Sequence, residues 1–216
     1  MTPHSLGEIT LSFSTFIYII WLLPQLKLNF KRKSTKGLSF WMHSLLFLGY
    51  SADLTYGFGF SMEWQYRMVT IVGLLSLSIQ HWQFGYYELG KSLDKFQYYM
   101  ASIALFSLLA FSIHTLDSTR HSREFYNFFG MVSNIAFLIY LVPQIVTNYL
   151  NQSTEGLSLW FVIFTVFLGV CDLISAYTLQ WSWPSLFGPS VGFLFKAVLL
   201  FQIYYYGKRY EAAENS

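Results

Sequence analysis

Charge is scarce in this chain. Only 11% of its 216 residues are Asp, Glu, Lys or Arg, against about 25% in an ordinary soluble domain. Too few charges remain to cover a water-facing surface, so a soluble globule is excluded. Cysteine is nearly missing as well. Cys171 stands alone, which excludes an intrachain disulfide and, inside an apolar run, says nothing about redox compartment. The net charge is only +2, and no basic stripe with interleaved aromatics lies outside the short loops, so nucleic acid is not an expected partner. Five histidines are scattered along the chain. No metal-ligand spacing, nucleophile elbow or phosphate-binding loop occurs. The expectation is a protein that is not an enzyme and uses neither metal nor cofactor. The N-terminal residues lack a basic stretch and run on apolar too far for a cleavable signal peptide.

What the chain has in excess is apolar and aromatic side chain. Hydrophobic residues make up 54% of it, with 22 Phe, 16 Tyr and 7 Trp. Tyr and Trp suit the membrane–water boundary, where one end of the ring is wet and the other dry. A bilayer core takes about 20 apolar residues per helical span. Seven such runs occur, near 6–28, 38–60, 66–88, 96–116, 126–150, 157–180 and 185–207, joined by short connections. The lipid bilayer is the expected solvent.

Basic residues set the orientation. Lys27, Lys31, Arg32, Lys33 and Lys36 follow the first span, Lys91 and Lys95 the third, and Lys208 and Arg209 the seventh. The other side carries Arg67, Arg120 and Arg123. The C-terminus is expected in the cytosol and the N-terminus outside. With so little chain beyond the membrane, and no tyrosine-based sorting signal after Tyr206, a bacterial inner membrane is favoured over a lysosomal one.

An internal repeat is present. Pro24-Gln25, Asn29, Ser34-Thr35, Gly37-Leu38-Ser39, Trp41 and Asp53-Leu54 recur 119 residues later as Pro143-Gln144, Asn148, Ser153-Thr154, Gly156-Leu157-Ser158, Trp160 and Asp172-Leu173, without a gap. The third and seventh spans echo each other through Ile79-Gln80-His81 and Gln202-Ile203. Each repeat holds three spans, an odd number, so a single linking span must turn the chain back before the second begins. The expected fold is all-α and integral to the membrane, with seven transmembrane helices as two parallel three-helix bundles (3+1+3). The bundles cover 1–90 and 123–210, the linker helix 91–122 and a tail 211–216. Parallel repeats about an axis along the membrane normal are a recurrent transporter plan, with the site between the halves.

Pro24 and Pro143 fall near one end of spans 1 and 5. Proline has no N–H and clashes with the carbonyl four residues back, here Ile20 and Ile139. The pairs Pro24-Gln25 and Pro143-Gln144 are read as hinges rather than as plain helix ends, because the dipeptide occurs twice in register.

With Asn and Ser-Thr-x-Gly-Leu-Ser after each, these pairs resemble the PQ-loop family over nearly the whole chain. That family includes cystinosin, lysosomal cationic amino acid exporters and, more distantly, the SWEET sugar transporters. Asn29-Phe30-Lys31-Arg32-Lys33-Ser34, Asn148-Tyr149 with Ser153-Thr154-Glu155-Gly156, and Phe187-Gly188, Phe195-Lys196 and Phe201-Gln202 are most similar to cystinosin. There are departures. The resemblance implies an acidic, proton-linked residue six positions before the Gln of the last span, where this chain has Lys196. Acidic positions early in spans 2 and 6 look like Trp41 and Thr165 here. Asp53-Leu54-Thr55-Tyr56-Gly57 resembles the Trp-Leu-x-Tyr-Gly of bacterial SWEET-like proteins, which would put Asp53 and Asp172 against the substrate.

The same residues stand out on physical grounds. Asp53 and Asp172 each lie fifteen residues into their spans, roughly 22 Å deep at 1.5 Å per residue, inside a core about 30 Å thick. Lys196 is near the middle of the seventh span. A lone charge at such depth costs about 2.5–3.5 kcal/mol on insertion scales and so faces a partner or a watery cavity. The bland alternative is that Asp172 and Lys196 form a structural ion pair. Asp53 then has no basic partner in the membrane, and burial favours the neutral form of a carboxyl group, which suits a proton carrier. His81 is a candidate for a proton relay, although a structural role is the simpler reading. Gln80, Gln202, Asn134, Tyr50, Tyr56 and Tyr177 are candidates to line the same cavity, each weighed against a plain helix–helix hydrogen bond.

The function expected is a membrane transporter of a small solute, an amino acid of the cystine or cationic type, with protons as the candidate coupling ion and the Pro-Gln motifs as hinges. Two alternatives stand beside it: a seven-helix receptor or retinal-type photoreceptor with Lys196 as the ligand-binding residue, and a SWEET-like sugar carrier. Substrate identity and oligomeric state are not legible. A green fluorescent protein fused to the C-terminus is expected to fluoresce in bacteria and alkaline phosphatase at the same point to stay inactive. An active phosphatase there reverses the orientation.

Overall fold

The computed structural model describes residues 3–62, 64–116, 121–180 and 183–214, without the side chains of 3, 183–189 and 208–214; Arg120 lies outside the described residues. These form the helices α1 (Pro3–Ile20), α2 (Leu23–Arg32), α3 (Phe40–Gly59), α4 (Trp64–Glu88), α5 (Lys95–His114), α6 (Arg123–Ile139), α7 (Val142–Asn151), α8 (Leu159–Thr178) and α9 (Trp183–Glu214). No strand occurs among the described residues, and the lone β-bridge joins Leu89 to Leu93 in a loop. α9 takes in residues 211–214, which composition had suggested as tail.

Among the described residues nine helices make seven spans, because α1 with α2 and α6 with α7 are each one bent span. The bends sit where the prolines demand them. α1 stops at Ile20 and α6 at Ile139, the two residues whose carbonyls the rings of Pro24 and Pro143 exclude from a continuous helix. Both prolines stand at the start of the next helix, where a missing N–H costs nothing. Further starts are capped by side chains. Ser39, Asp94, Ser122 and Ser158 accept from the backbone N–H groups of Met42, Gln97, Phe125 and Phe161, which satisfies donors the first turn leaves free.

Among the described residues five spans, His4–Arg32, Lys95–His114, Arg123–Asn151, Leu159–Thr178 and Ser190–Gly207, are long and apolar enough to cross a membrane by length and composition alone. α3 and α4 are more polar, for a reason visible in their surroundings. α3 buries 14 of its 20 residues, His43, Ser44, Ser51, Asp53 and Thr55 among them. Polar groups that meet protein rather than lipid need no apolar replacement. α5 is the opposite case. It buries only Leu105 and Ser112 and exposes Phe96, Met100, Ile103, Phe106, Phe111 and Ile113, as a linking helix at the lipid-facing rim should.

The halves meet along two seams. α3 packs on α6, and α1 on α8; the repeat exchanges these contacts, since α6 is the counterpart of α1 and α8 that of α3. Small residues let the first seam close. A Cβ added at Gly49 would meet Phe137 at 2.8 Å, and one at Gly130 would meet Tyr56 at 2.6 Å.

At the Pro-Gln end the two Ser-Thr-x-Gly loops cross. Gly37 and Gly156 have φ of +89° and +95°, and a Cβ on either would lie 1.8 Å from the Glu155 carbonyl oxygen or 2.2 Å from that of Lys36. Both the backbone angle and the crossing require glycine. Gly156→Ala is expected to lower stability by about 1–3 kcal/mol, read as a lower melting temperature in detergent. An unchanged melt shows that the loops do not cross as described.

Candidate functional site

Gln25 and Gln144, one helical step past each break, are wholly buried. Their bonds run across the halves. Gln25 Nε2 donates to the Gly156 carbonyl at 2.8 Å, and its Oε1 accepts from the Ser158 N–H at 2.8 Å. Gln144 Nε2 donates to the Gly37 carbonyl at 2.9 Å, and its Oε1 accepts from the Ser39 N–H at 2.7 Å. Each amide therefore completes the backbone of the opposite loop. Behind them the pattern repeats within each half. Gln25 bonds Asn29, Asn29 bonds Gln83, and Gln83 Nε2 donates to the Leu26 carbonyl. Gln144 bonds Asn148, Asn148 bonds Gln202, and Gln202 Nε2 donates to the Ile145 carbonyl. Gln202 therefore corresponds to Gln83, 119 residues earlier, and not to Gln80 as the sequence echo suggested. Arg32 and Glu155 add a 2.7 Å ion pair across the loops, with Glu155 79% exposed, where such pairs contribute little.

Between the halves lies a cavity of about 220 Å³, far more than the 10–15 Å³ or so that one water needs. Its walls follow the repeat. Thr15 and Asn134, Tyr18 and Phe137, Trp21 and Tyr140, Leu46 and Thr165, and Asp53 and Asp172 all line it, and the members of each pair are 119 residues apart. Lys196 breaks the symmetry, because its counterpart is Leu77, a fully buried core residue. Toward the Pro-Gln end the cavity stops at Trp21, stacked on Phe161 at 5.3 Å.

The three ionisable groups singled out on sequence thus share one chamber. Asp53, 5% exposed, accepts from Thr70 Oγ1 at 2.9 Å, from Ser133 Oγ at 3.0 Å and from Tyr66 Oη. Ser133 reaches it from the other half. Asp172 accepts from Tyr18 Oη at 2.7 Å, also across the halves. Among the described residues no carboxylate lies within 4.0 Å of the Lys196 amine, so the contact ion pair with Asp172 that stood as the bland alternative is not made. A cation and two carboxylates around one space can receive a ligand bearing both signs of charge.

Asn134 lines the cavity too, though its Nδ2 donates to the Gly130 carbonyl at 2.9 Å. Four further candidates, Tyr56, Gln202, Gln80 and Tyr177, do not line it. Tyr56 lies at the α3–α6 seam against Gly130 and Phe60. Gln202 belongs to the Pro-Gln network. Gln80 bonds His43 Nδ1 at 3.1 Å, and His43 Nε2 meets His81 Nδ1 at 3.1 Å. These buried rings, walled by Phe40, Phe47, Phe84 and Phe106, stand apart from the chamber, so His81 is not beside Asp53. Tyr177 is 64% exposed and faces away, while Tyr50 is on the wall. Sequence reasoning missed Tyr18, Tyr66, Thr70 and Ser133. Hydroxyl residues are common in membrane helices, so only the fold selects these four.

A family model of the PQ loop repeat matches residues 6–66 and again 125–185, more than half of the chain and in the 119-residue register. The chain belongs to the PQ-loop family. Among solved structures this PQ-loop protein is similar to a eukaryotic SWEET transporter determined at 3.7 Å resolution, with 15% identity and a TM-score of 0.64 over 94% of this chain and 99% of that one. At that identity the likeness speaks for the fold, a seven-helix 3+1+3 bundle of a multi-pass membrane protein. No curated protein matches the chain.

Removing one PQ glutamine should loosen the crossed loops. Gln25→Leu leaves the Gly156 carbonyl and the Ser158 N–H unpaired, and a buried orphan costs about 1–3 kcal/mol. The melting temperature is expected to fall, and cysteines placed in loops 33–38 and 152–157 are expected to label faster. Labelling at the unaltered rate means that the amide does not hold the loops.

Proposed function

We propose that this PQ-loop protein is a membrane carrier for a small zwitterion of the amino-acid class, with cystine and cationic amino acids as first candidates and protons as the candidate coupling ion. One observation carries the reading: an ammonium group without a carboxylate partner, Lys196, faces a chamber between two repeats that also holds Asp53 and Asp172. Lys196 receives the substrate carboxylate. Asp172 receives the ammonium group, and Asp53, set among three hydroxyls, takes a second cationic group or a proton. The breaks before Pro24 and Pro143 let the halves rock, so that the chamber opens to alternate sides. In the described state the glutamine-bridged loops close the Pro-Gln end, which the basic residues assign to the cytosol, and substrate enters from outside.

A sugar carrier is the second reading, favoured by the SWEET-like fold. Three ionisable groups on the wall suit a neutral polar ligand less well, since the Lys196 ammonium would be desolvated without a contact partner of opposite charge.

Proteoliposomes loaded with a radiolabelled panel of amino acids and sugars, with and without a pH gradient, decide between them. Uptake or exchange of an amino acid is expected, and Lys196→Met is expected to weaken it roughly tenfold to a hundredfold, the loss of a hydrogen bond to a charged group. Uptake of a sugar alone favours the second reading. No uptake or exchange of any compound defeats both.

A further inference from the structure

Asp172 on α8 and Lys196 on α9 line one chamber from adjacent helices. Lys196 packs over Gly169, one turn before Asp172, where an added Cβ would lie 3.0 Å from the Lys196 Nζ. Opposite charges so close, away from bulk water, attract strongly, and a lysine stem has the length to make the contact. Yet no ion pair within 4.0 Å joins them. Asp172 is held instead by a residue of the other half, the Tyr18 hydroxyl at 2.7 Å.

The repeat supplies an internal control. The counterpart of Lys196 is Leu77, and the counterpart of Tyr18 is Phe137. On the side where the aspartate has a lysine nearby, the facing ring carries a hydroxyl. On the side where the lysine is a leucine, the facing ring lacks one, and Asp53 takes its bonds from Tyr66, Thr70 and Ser133. The hydroxyl and the lysine occur together.

We infer that Tyr18 is a positioning residue that holds the Asp172 carboxylate off the Lys196 ammonium, so that no contact ion pair forms and both groups stay open to a ligand of mixed sign. The purpose of this separation rests on the carrier reading; the separation itself does not. Because Tyr18 and Asp172 belong to different halves, the restraint exists only while the α1–α8 seam is closed. Opening that seam frees the carboxylate to swing toward the lysine, which expels a bound zwitterion.

Lysine acetylation tests this without any ligand. Purified protein in detergent is treated with limiting acetic anhydride, and the rate at Lys196 is read by mass spectrometry against the exposed Lys27 and Lys31. Tyr18→Phe is expected to slow acetylation of Lys196 about tenfold, because a carboxylate beside an ammonium favours its unreactive charged form. Tyr18→Phe combined with Asp172→Asn is expected to return the rate to that of Asp172→Asn alone. Asp172→Asn alone is expected to speed acetylation only about twofold, since the carboxylate acts on the ammonium from beyond contact distance. Where Tyr18→Phe does not fold, Tyr18→Leu, which also lacks the hydroxyl, is read in the same way. A Tyr18→Phe protein labelled at the unaltered rate, or an Asp172→Asn protein labelled about tenfold faster, overturns the inference. A purely packing role for the hydroxyl would shift the melting temperature and leave the labelling ratio where it was. Failure to transport any amino acid would overturn the carrier reading and leave these rates untouched.

Discussion

Two buried glutamines, each satisfied by the backbone of the opposite half, hold this molecule in its described state. Lipid offers no hydrogen bonds, so a loop that dips toward the bundle must find its donors and acceptors in protein. A glutamine amide carries the same donor and acceptor as a peptide group. Gln25 and Gln144 therefore act as an added peptide unit for the other half's Ser-Thr-x-Gly loop. The neighbouring proline interrupts the helix one step earlier. One dipeptide thus supplies both the break in the span and the clasp across the halves, which places the two side by side.

The chamber above that clasp is a product of duplication with a few edits. Five pairs of wall residues are related by the repeat, so the cavity lies between equivalent surfaces and inherits two aspartates, one from each copy. A symmetric site with two carboxylates would suit a symmetric cation. Lys196 in place of a leucine, and Tyr18 in place of a phenylalanine, turn it into a site with one end of mixed charge. Hydroxyls from the opposite half on both carboxylates, Ser133 on Asp53 and Tyr18 on Asp172, tie the site to the seams between the halves.

Much of this was legible beforehand. Span number, the break at the prolines, the repeat and the sharing of one chamber by Asp53, Asp172 and Lys196 follow from hydropathy, from proline chemistry and from the cost of a charge in lipid. Some assignments were not. Gln80, Gln202 and Tyr56 share with true wall residues the property of being polar in an apolar helix, and composition cannot tell a cavity from a helix–helix seam. Gln202 was matched with Gln80 because both stand beside isoleucine; the hydrogen-bonded ladder shows that Gln83 holds the equivalent place.

Chain order alone determined what a bilayer demands: how many times the polypeptide crosses, where it must bend, which halves are copies and which three charges cannot face lipid. These are local or periodic properties, set by length, by a missing N–H and by solvation. The tertiary structure alone decided which hydroxyl meets which carboxylate and that Asp172 and Lys196 make no contact ion pair. Those facts depend on the rotation and approach of helices more than 150 residues apart in sequence, as Tyr18 and Asp172 are, and no local pattern encodes an angle between elements that meet only after folding.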